Sequence, residues 1–127
     1  MSTSQTLSEA AKWNNEGMVA LREKRFAEAE RHFLVAINYD KTASALWRNV
    51  ATARRAQGDD AGELQALNAA IDANRLDFMG WLRKAELHQR TGEDAQALVA
   101  WSGVLQMAEQ ASDLPAEITA AVQAGRA

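Results

Sequence analysis

Residues 13–37 read WNNEGMVALREKRFAEAERHFLVAI, residues 47–71 read WRNVATARRAQGDDAGELQALNAAI, and residues 81–105 read WLRKAELHQRTGEDAQALVAWSGVL. Trp13, Trp47 and Trp81 thus recur at steps of 34 residues. A fixed period of that length marks a chain built from repeated helical units. Each unit is a pair of helices that cannot bury its own apolar face and needs a neighbour to do so.

With unit boundaries at 10, 44 and 78, more than the tryptophans comes into line. The eighth place of each unit is small (Gly17, Ala51, Ala85) and the twenty-fourth is large and apolar (Phe33, Leu67, Trp101). Three places later stand Ala36, Ala70 and Val104, each followed by Ile37, Ile71 or Leu105. Small beside large at fixed spacing lets two helices approach closely while the groove between them is filled. The three tryptophans share that register, so core packing explains them better than an aromatic cage.

Gly58 and Gly92 fall where a first helix must stop, and Lys24 takes that place in the first unit. Thr6 with Glu9 makes a capping box, Thr42 is placed to cap the second unit and Asp77 the third. These signals predict helices over 7–23, 26–39, 43–57, 60–73, 77–91 and 94–110. No stretch alternates with period two, and Pro115 is the single proline, so the fold class is all-α. Residues 1–6 read as a flexible leader, and residues 7–127 as one domain of units 10–43, 44–77 and 78–111. A further 34-residue step from Trp81 lands on Pro115, where the repeat ends. Pro115 opens a short helix over 114–124 with Leu114, Ile118, Ala121 and Val122 on one stripe. That stripe either caps the last unit or docks a second copy or a downstream domain.

The 127 residues include no cysteine, so there is neither a disulfide framework nor a thiolate site, and a reducing, cytoplasmic location is expected. No apolar run is long enough for a signal peptide or a membrane span. A net charge of −3 argues against a nucleic-acid binder. His32 and His88 lie in different units and belong to no metal-ligand spacing, and the glycine-rich phosphate loops and nucleophile elbows are missing. Paired acids such as Asp59–Asp60 and Glu93–Asp94 sit at helix starts, where the macrodipole accounts for them. Neither catalysis nor a cofactor is expected.

The in-phase residues resemble the tetratricopeptide repeat (TPR) family over residues 10 to 111. Its pattern is answered in the first unit by Trp13, Gly17, Ala29, Phe33 and Ala36, and in the third by Trp81, Ala85, Ala97, Trp101 and Val104. The usual proline near the end of each unit is replaced by Lys41, Arg75 and Glu109. In the second unit Arg54 and Glu63 stand at inward places, which predicts a partly buried ion pair. The resemblance implies three stacked helix-turn-helix units whose first helices line a concave groove.

The groove places implied by the family hold Ala11, Asn14, Asn15, Met18, Leu21 and Arg22 in the first unit. The second supplies Ala45, Arg48, Asn49, Thr52, Arg55 and Ala56, and the third Met79, Leu82, Arg83, Glu86, Gln89 and Arg90. Five arginines face one glutamate there, in a chain that is acidic overall. Arginine's planar fork matches carboxylates and asparagine bonds peptide groups, so the partner expected is a protein or peptide offering an acidic segment or a C-terminal carboxylate; the alternative is a solvated face whose arginines pair with neighbouring acids. Met18 and Met79 on this face read either as soft contact surface or as gap fillers. Chaperone-binding members carry a clamp of two lysines, two asparagines and an arginine. Here only Asn49 and Arg83 match it, with Asn14, Met18 and Met79 at the other three places.

A narrower resemblance lies in Ala53-Arg54-Arg55-Ala56-Gln57-Gly58-Asp59-Asp60, with Glu63, Ala66-Leu67, Lys84, Gly92-Glu93 and Leu114-Pro115. It is to the helical leader of bacterial aspartyl/asparaginyl β-hydroxylase-like proteins. Their iron ligands, a His-x-Asp and a distant His, do not occur here, so the likeness implies a non-catalytic docking or substrate-presenting module. Self-assembly through the last helix or the groove is the third alternative, a homo-oligomer.

Overall fold

The computed structural model describes residues 2–110, and these fold into six α-helices with no strand among them. They are α1 (Thr3–Arg22), α2 (Phe26–Tyr39), α3 (Ser44–Ala56), α4 (Asp60–Ala73), α5 (Phe78–Arg90) and α6 (Asp94–Gln110). The helices pair as α1 with α2, α3 with α4 and α5 with α6, three helix-turn-helix units as the period predicts. The described residues divide between Arg75 and Leu76 into two compact units. The N-terminal unit holds the first two repeats and the C-terminal unit the third. The short helix expected over 114–124 lies outside the described residues.

Phe33 and Gly17 show why the repeat tolerates only a small residue at its eighth place. Phe33 is fully buried, and a Cβ added to Gly17 would stand 2.5 Å from its Cε1 atom. Around this contact the core is dense in alanine, with Ala20, Ala29, Ala36, Ala51, Ala53, Ala66 and Ala70 all buried. Small side chains let the helix axes close up, and the larger Val50, Leu67 and Ile71 fill the space between them. In the C-terminal unit the same places give a core of Leu82, Ala85, Ala97, Ala100, Trp101 and Val104. Leu82, which the repeat register assigns to the groove, is 7% exposed and belongs to that core. A leucine at such a place has more to gain from burial than from water.

Trp13, Trp47 and Trp81 are half-buried rather than enclosed. Trp13 stacks on His32 with ring centroids 5.5 Å apart. Trp81 lies on the backbone of α6, where a Cβ on Gly103 would stand 3.0 Å from its ring. Trp13 and Trp81 each carry a lysine ammonium, Lys12 and Lys84 respectively, 5.5 Å from the ring centre. These contacts occupy the aromatic faces and support the packing role.

The helix ends correct three expectations. α1 begins at Thr3, so residues read as leader are helical, and its cap is Ser2. The Ser2 hydroxyl accepts the Gln5 amide at 3.2 Å while Gln5 Oε1 accepts the Ser2 N–H at 2.8 Å. Ser2-x-x-Gln5 and Thr6-x-x-Glu9 carry the same signature, and the helix starts at the earlier one. Thr6, inside the first turn, donates its hydroxyl to the Ser2 carbonyl. Thr42 does not cap α3 either: its hydroxyl and its N–H both go to Asp40 Oδ1, at 2.9 and 3.2 Å, which ties down the preceding turn. Ala43 is the N-cap and offers no side-chain bond. Asp77 holds the N-cap position of α5 but makes no capping hydrogen bond.

The turn from α1 to α2 passes through Lys24 at φ +62°, the place filled by Gly58 (φ +74°) and Gly92 (φ +78°) in the other repeats. A residue with a Cβ is strained in this left-handed region by about 1 kcal/mol, and Lys24 is exposed, with no packing to compensate. Lys24→Gly is expected to stabilise the N-terminal unit by roughly 0.5–1 kcal/mol, read as a rise in the urea midpoint. A lowered midpoint would show that the lysine side chain supports the turn. Arg25, just beyond, bridges Glu23 at 2.6 Å and Glu28 in the next turn. The guanidinium holds the Glu28 carboxyl below its usual range.

Candidate functional site

The α3–α4 corner brings Arg54, Gln57, Gly58, Asp59 and Gly62 together with Glu30 of α2. Gly58 supplies the left-handed turn, and Asp59 caps α4 by accepting the Gly62 N–H at 2.9 Å. A Cβ on Gly62 would fall 2.1 Å from Asp59 Oδ2, so glycine is needed for that cap. Arg54 lies over the corner, its Nη1 donating to the Gly62 carbonyl at 3.0 Å and to Gln65 Oε1 at 3.2 Å. Its Nε reaches Glu30 Oε2 on α2 at 3.3 Å, and Gln57 donates to the other Glu30 oxygen at 2.9 Å. The expected pair of Arg54 with Glu63 therefore does not form. Gly62 and Gln65 lie on one side of α4, and Glu63 is turned about a quarter of the way round from Gly62. Glu63 is 1% exposed and has its own interaction within the chain. These residues tie α2, α3 and α4 together.

Of the predicted groove residues, Asn14, Asn15, Met18, Arg22, Arg48, Asn49, Thr52 and Arg55 fall on α1 and α3 of the N-terminal unit. Met79, Arg83, Glu86 and Arg90 fall on α5 of the C-terminal unit. Asn49 Nδ2 donates to Asn14 Oδ1 at 2.8 Å, so α1 and α3 meet at these two amides. Thr52 donates its hydroxyl to the Arg48 carbonyl one turn back, at 3.1 Å. Met18 is half-buried and Asn15 exposed; Met79 is 37% exposed.

The five arginines are not equivalent. Arg48, Arg83 and Arg90 each take part in an interaction within the chain. Arg22 and Arg55 are exposed and make no hydrogen bond or ion pair among the described residues. Both stand in the last turn of their helices, where the partial negative charge of the helix end favours a cation. α1 and α3 run parallel, each joined to α2 by a short reversal, so the two guanidinium groups sit at the same end of the pair.

At the opposite end lies a cup that sequence reasoning missed, of about 250 Å³. Leu7, Ala10, Ala11, Ala43, Ala45 and Leu46 form its apolar lining, with Asn14 and Asp40 beside them. Leu7 is half exposed and Ala11 and Ala45 are open to solvent. The groove register names Ala11 and Ala45 but not Leu7, Asp40 or Ala43, which come from the helix start and the α2–α3 turn.

The histidines do not combine. His32 Nε2 is 3.5 Å from Glu28 in the first repeat, and His88, 4% exposed, has Nδ1 3.5 Å from Glu93 in the third. Among the described residues no three His, Asp or Glu side chains are grouped to hold a metal ion, and no helix is long and apolar enough to cross a membrane.

No protein-family model matches the sequence, and no curated protein does. Solved structures do. The TPR2B domain of yeast Sti1 in its pHsp70 complex superposes with a TM-score of 0.80 at 16% identity, covering 94% of this chain and 97% of that one. This chain has the TPR fold. The first TPR domain of Spaghetti (RPAP3), bound to the HSP90 peptide SRMEEVD, gives 0.76 at 17% identity, with 94% of each chain covered. The type III secretion translocator chaperone SycD of Yersinia enterocolitica gives 0.76 at 12%, covering 91% and 88%. At these identities the likeness is one of fold, so a binding role for this chain must be judged on its own residues.

Proposed function

We propose that this TPR chain is a non-catalytic peptide-binding module whose partner is an acidic segment. The observation that carries the reading is the pair Arg22 and Arg55, exposed cations at groove places that make no ion pair among the described residues. A guanidinium already satisfied internally has little to offer a ligand, whereas these two retain all their donors for a carboxylate. One of the similar TPR structures is bound to an HSP90 peptide, and another is a pHsp70 complex.

The decisive measurement is fluorescence anisotropy with a labelled peptide of alternating Glu and Ser, against the same peptide with Lys for Glu. The acidic peptide is expected to bind and to weaken at least about tenfold between roughly 0.05 and 0.5 M salt, since exposed pairs are strongly screened. Equal affinity for the two peptides, or indifference to salt, would remove the electrostatic reading.

A further inference from the structure

Resting on that reading, we infer that the N-terminal unit takes an internal, extended stretch of peptide rather than a chain terminus, with an apolar side chain in the cup between Ala11 and Ala45. The argument starts from the two amides. Each asparagine side chain carries one NH₂ donor group and one carbonyl acceptor. The bond from Asn49 Nδ2 to Asn14 Oδ1 uses one N–H of Asn49 and, among the described residues, leaves the Asn14 NH₂ and the Asn49 oxygen without a side-chain bond. Turning both amides over only exchanges the roles of the two residues. In either arrangement the pair offers N–H donors and a carbonyl acceptor side by side.

A peptide unit presents an acceptor and a donor, and satisfies both. A terminal carboxylate presents acceptors alone, and leaves the asparagine oxygen without a donor.

The rest of the surface sets direction and spacing. Asn14 is shared between the amide pair and the cup, so a side chain next to the bonded peptide unit enters the cup. Asp40 stands beside the cup, its Oδ1 held by the Thr42 N–H and hydroxyl, and its negative charge disfavours an acidic residue at that end. Arg22 lies eight residues beyond Asn14 on α1. That is about 12 Å of helix, which an extended peptide spans in roughly four residues. The chemistry recognised is therefore one apolar residue followed, or preceded, about five positions away by acidic ones.

The test uses the full chain and a set of labelled peptides of serine carrying one Leu and a run of three Glu about five positions from it. One is acetylated and amidated, one has a free C-terminal carboxylate directly after the glutamates, and one has Ser for Leu. The inference expects the amidated and free-acid forms to bind within about twofold of each other, and the loss of Leu to weaken binding about tenfold, as for an apolar group of that size. Ala45→Trp, at an exposed position, should weaken the Leu peptide and leave the Ser peptide unchanged. A free acid preferred tenfold or more, or indifference to Leu, overturns the inference while leaving acidic recognition in place. Absence of binding by every peptide overturns both.

Discussion

Phe33→Ala is expected to destabilise the N-terminal unit by roughly 3–5 kcal/mol, the range for emptying a buried aromatic site. Phe33 is fully enclosed, and its ring is pressed against the backbone of α1 at Gly17, so no side chain lies on that side to collapse into the void. Against a total stability of about 5–15 kcal/mol, such a loss takes a large share. The expected readout is a marked fall in the urea midpoint followed by circular dichroism. A loss below about 1 kcal/mol would mean that the helices close over the gap, contrary to the tight contact. The same contact gives an internal check. The second repeat solves the position with Ala51 and Leu67, both fully buried. Gly17→Ala alone should therefore overpack the site, at a cost of about 1–3 kcal/mol. Combined with Phe33→Leu it should cost much less, because the ring atoms it strikes are gone.

That pair also explains why so much of the fold is legible in the sequence. A core made of small-on-large contacts repeats its constraint in every unit, so the 34-residue step exposes helix number, pairing and inward faces together. α4 and α6 begin where the glycine stops and acidic starts place them, and α2 begins two residues after Lys24, which fills the glycine's place. Signals that two positions satisfy equally are less informative. Ser2-Gln5 and Thr6-Glu9 are the same box four residues apart, and Thr42 is consumed by Asp40 because a turn competes with a cap for the same hydroxyl.

The site is legible only as a set of places. Periodicity gives the face on which Arg22, Arg48, Arg55, Arg83 and Arg90 stand, but whether a long side chain is engaged depends on neighbours brought in by other helices. Arg54 illustrates the point: its register points toward Glu63, yet its flexible stem carries the fork to Glu30, 24 residues earlier in the chain. The cup escapes notice for a related reason, since Asp40 and Ala43 belong to a turn and carry no helical phase.

Reversing the charge of Arg22 and Arg55 together, each to Glu, is expected to weaken binding of the acidic peptide about a hundredfold. Each exposed pair is worth roughly 0.5–1 kcal/mol, and replacing attraction by repulsion about doubles the difference. The variant also places acids at two helix C-termini, which costs roughly 0.3–1 kcal/mol of stability each. Arg22→Gln with Arg55→Gln separates the two effects, because it removes the ligand contact without opposing the helix dipole. That neutral variant should lose about tenfold in affinity with little change in the urea midpoint. Arg48→Gln is the complementary case: its side chain is half-buried and engaged within the chain, so its removal should register first in stability. Raising the salt should shrink the gap between wild type and the reversed variant, as screening acts on attraction and repulsion alike. If Arg48→Gln weakens the acidic peptide more than the Arg22 and Arg55 pair does, at unchanged stability, the division between engaged and available arginines is wrong, and the ligand must displace an internal partner to bind.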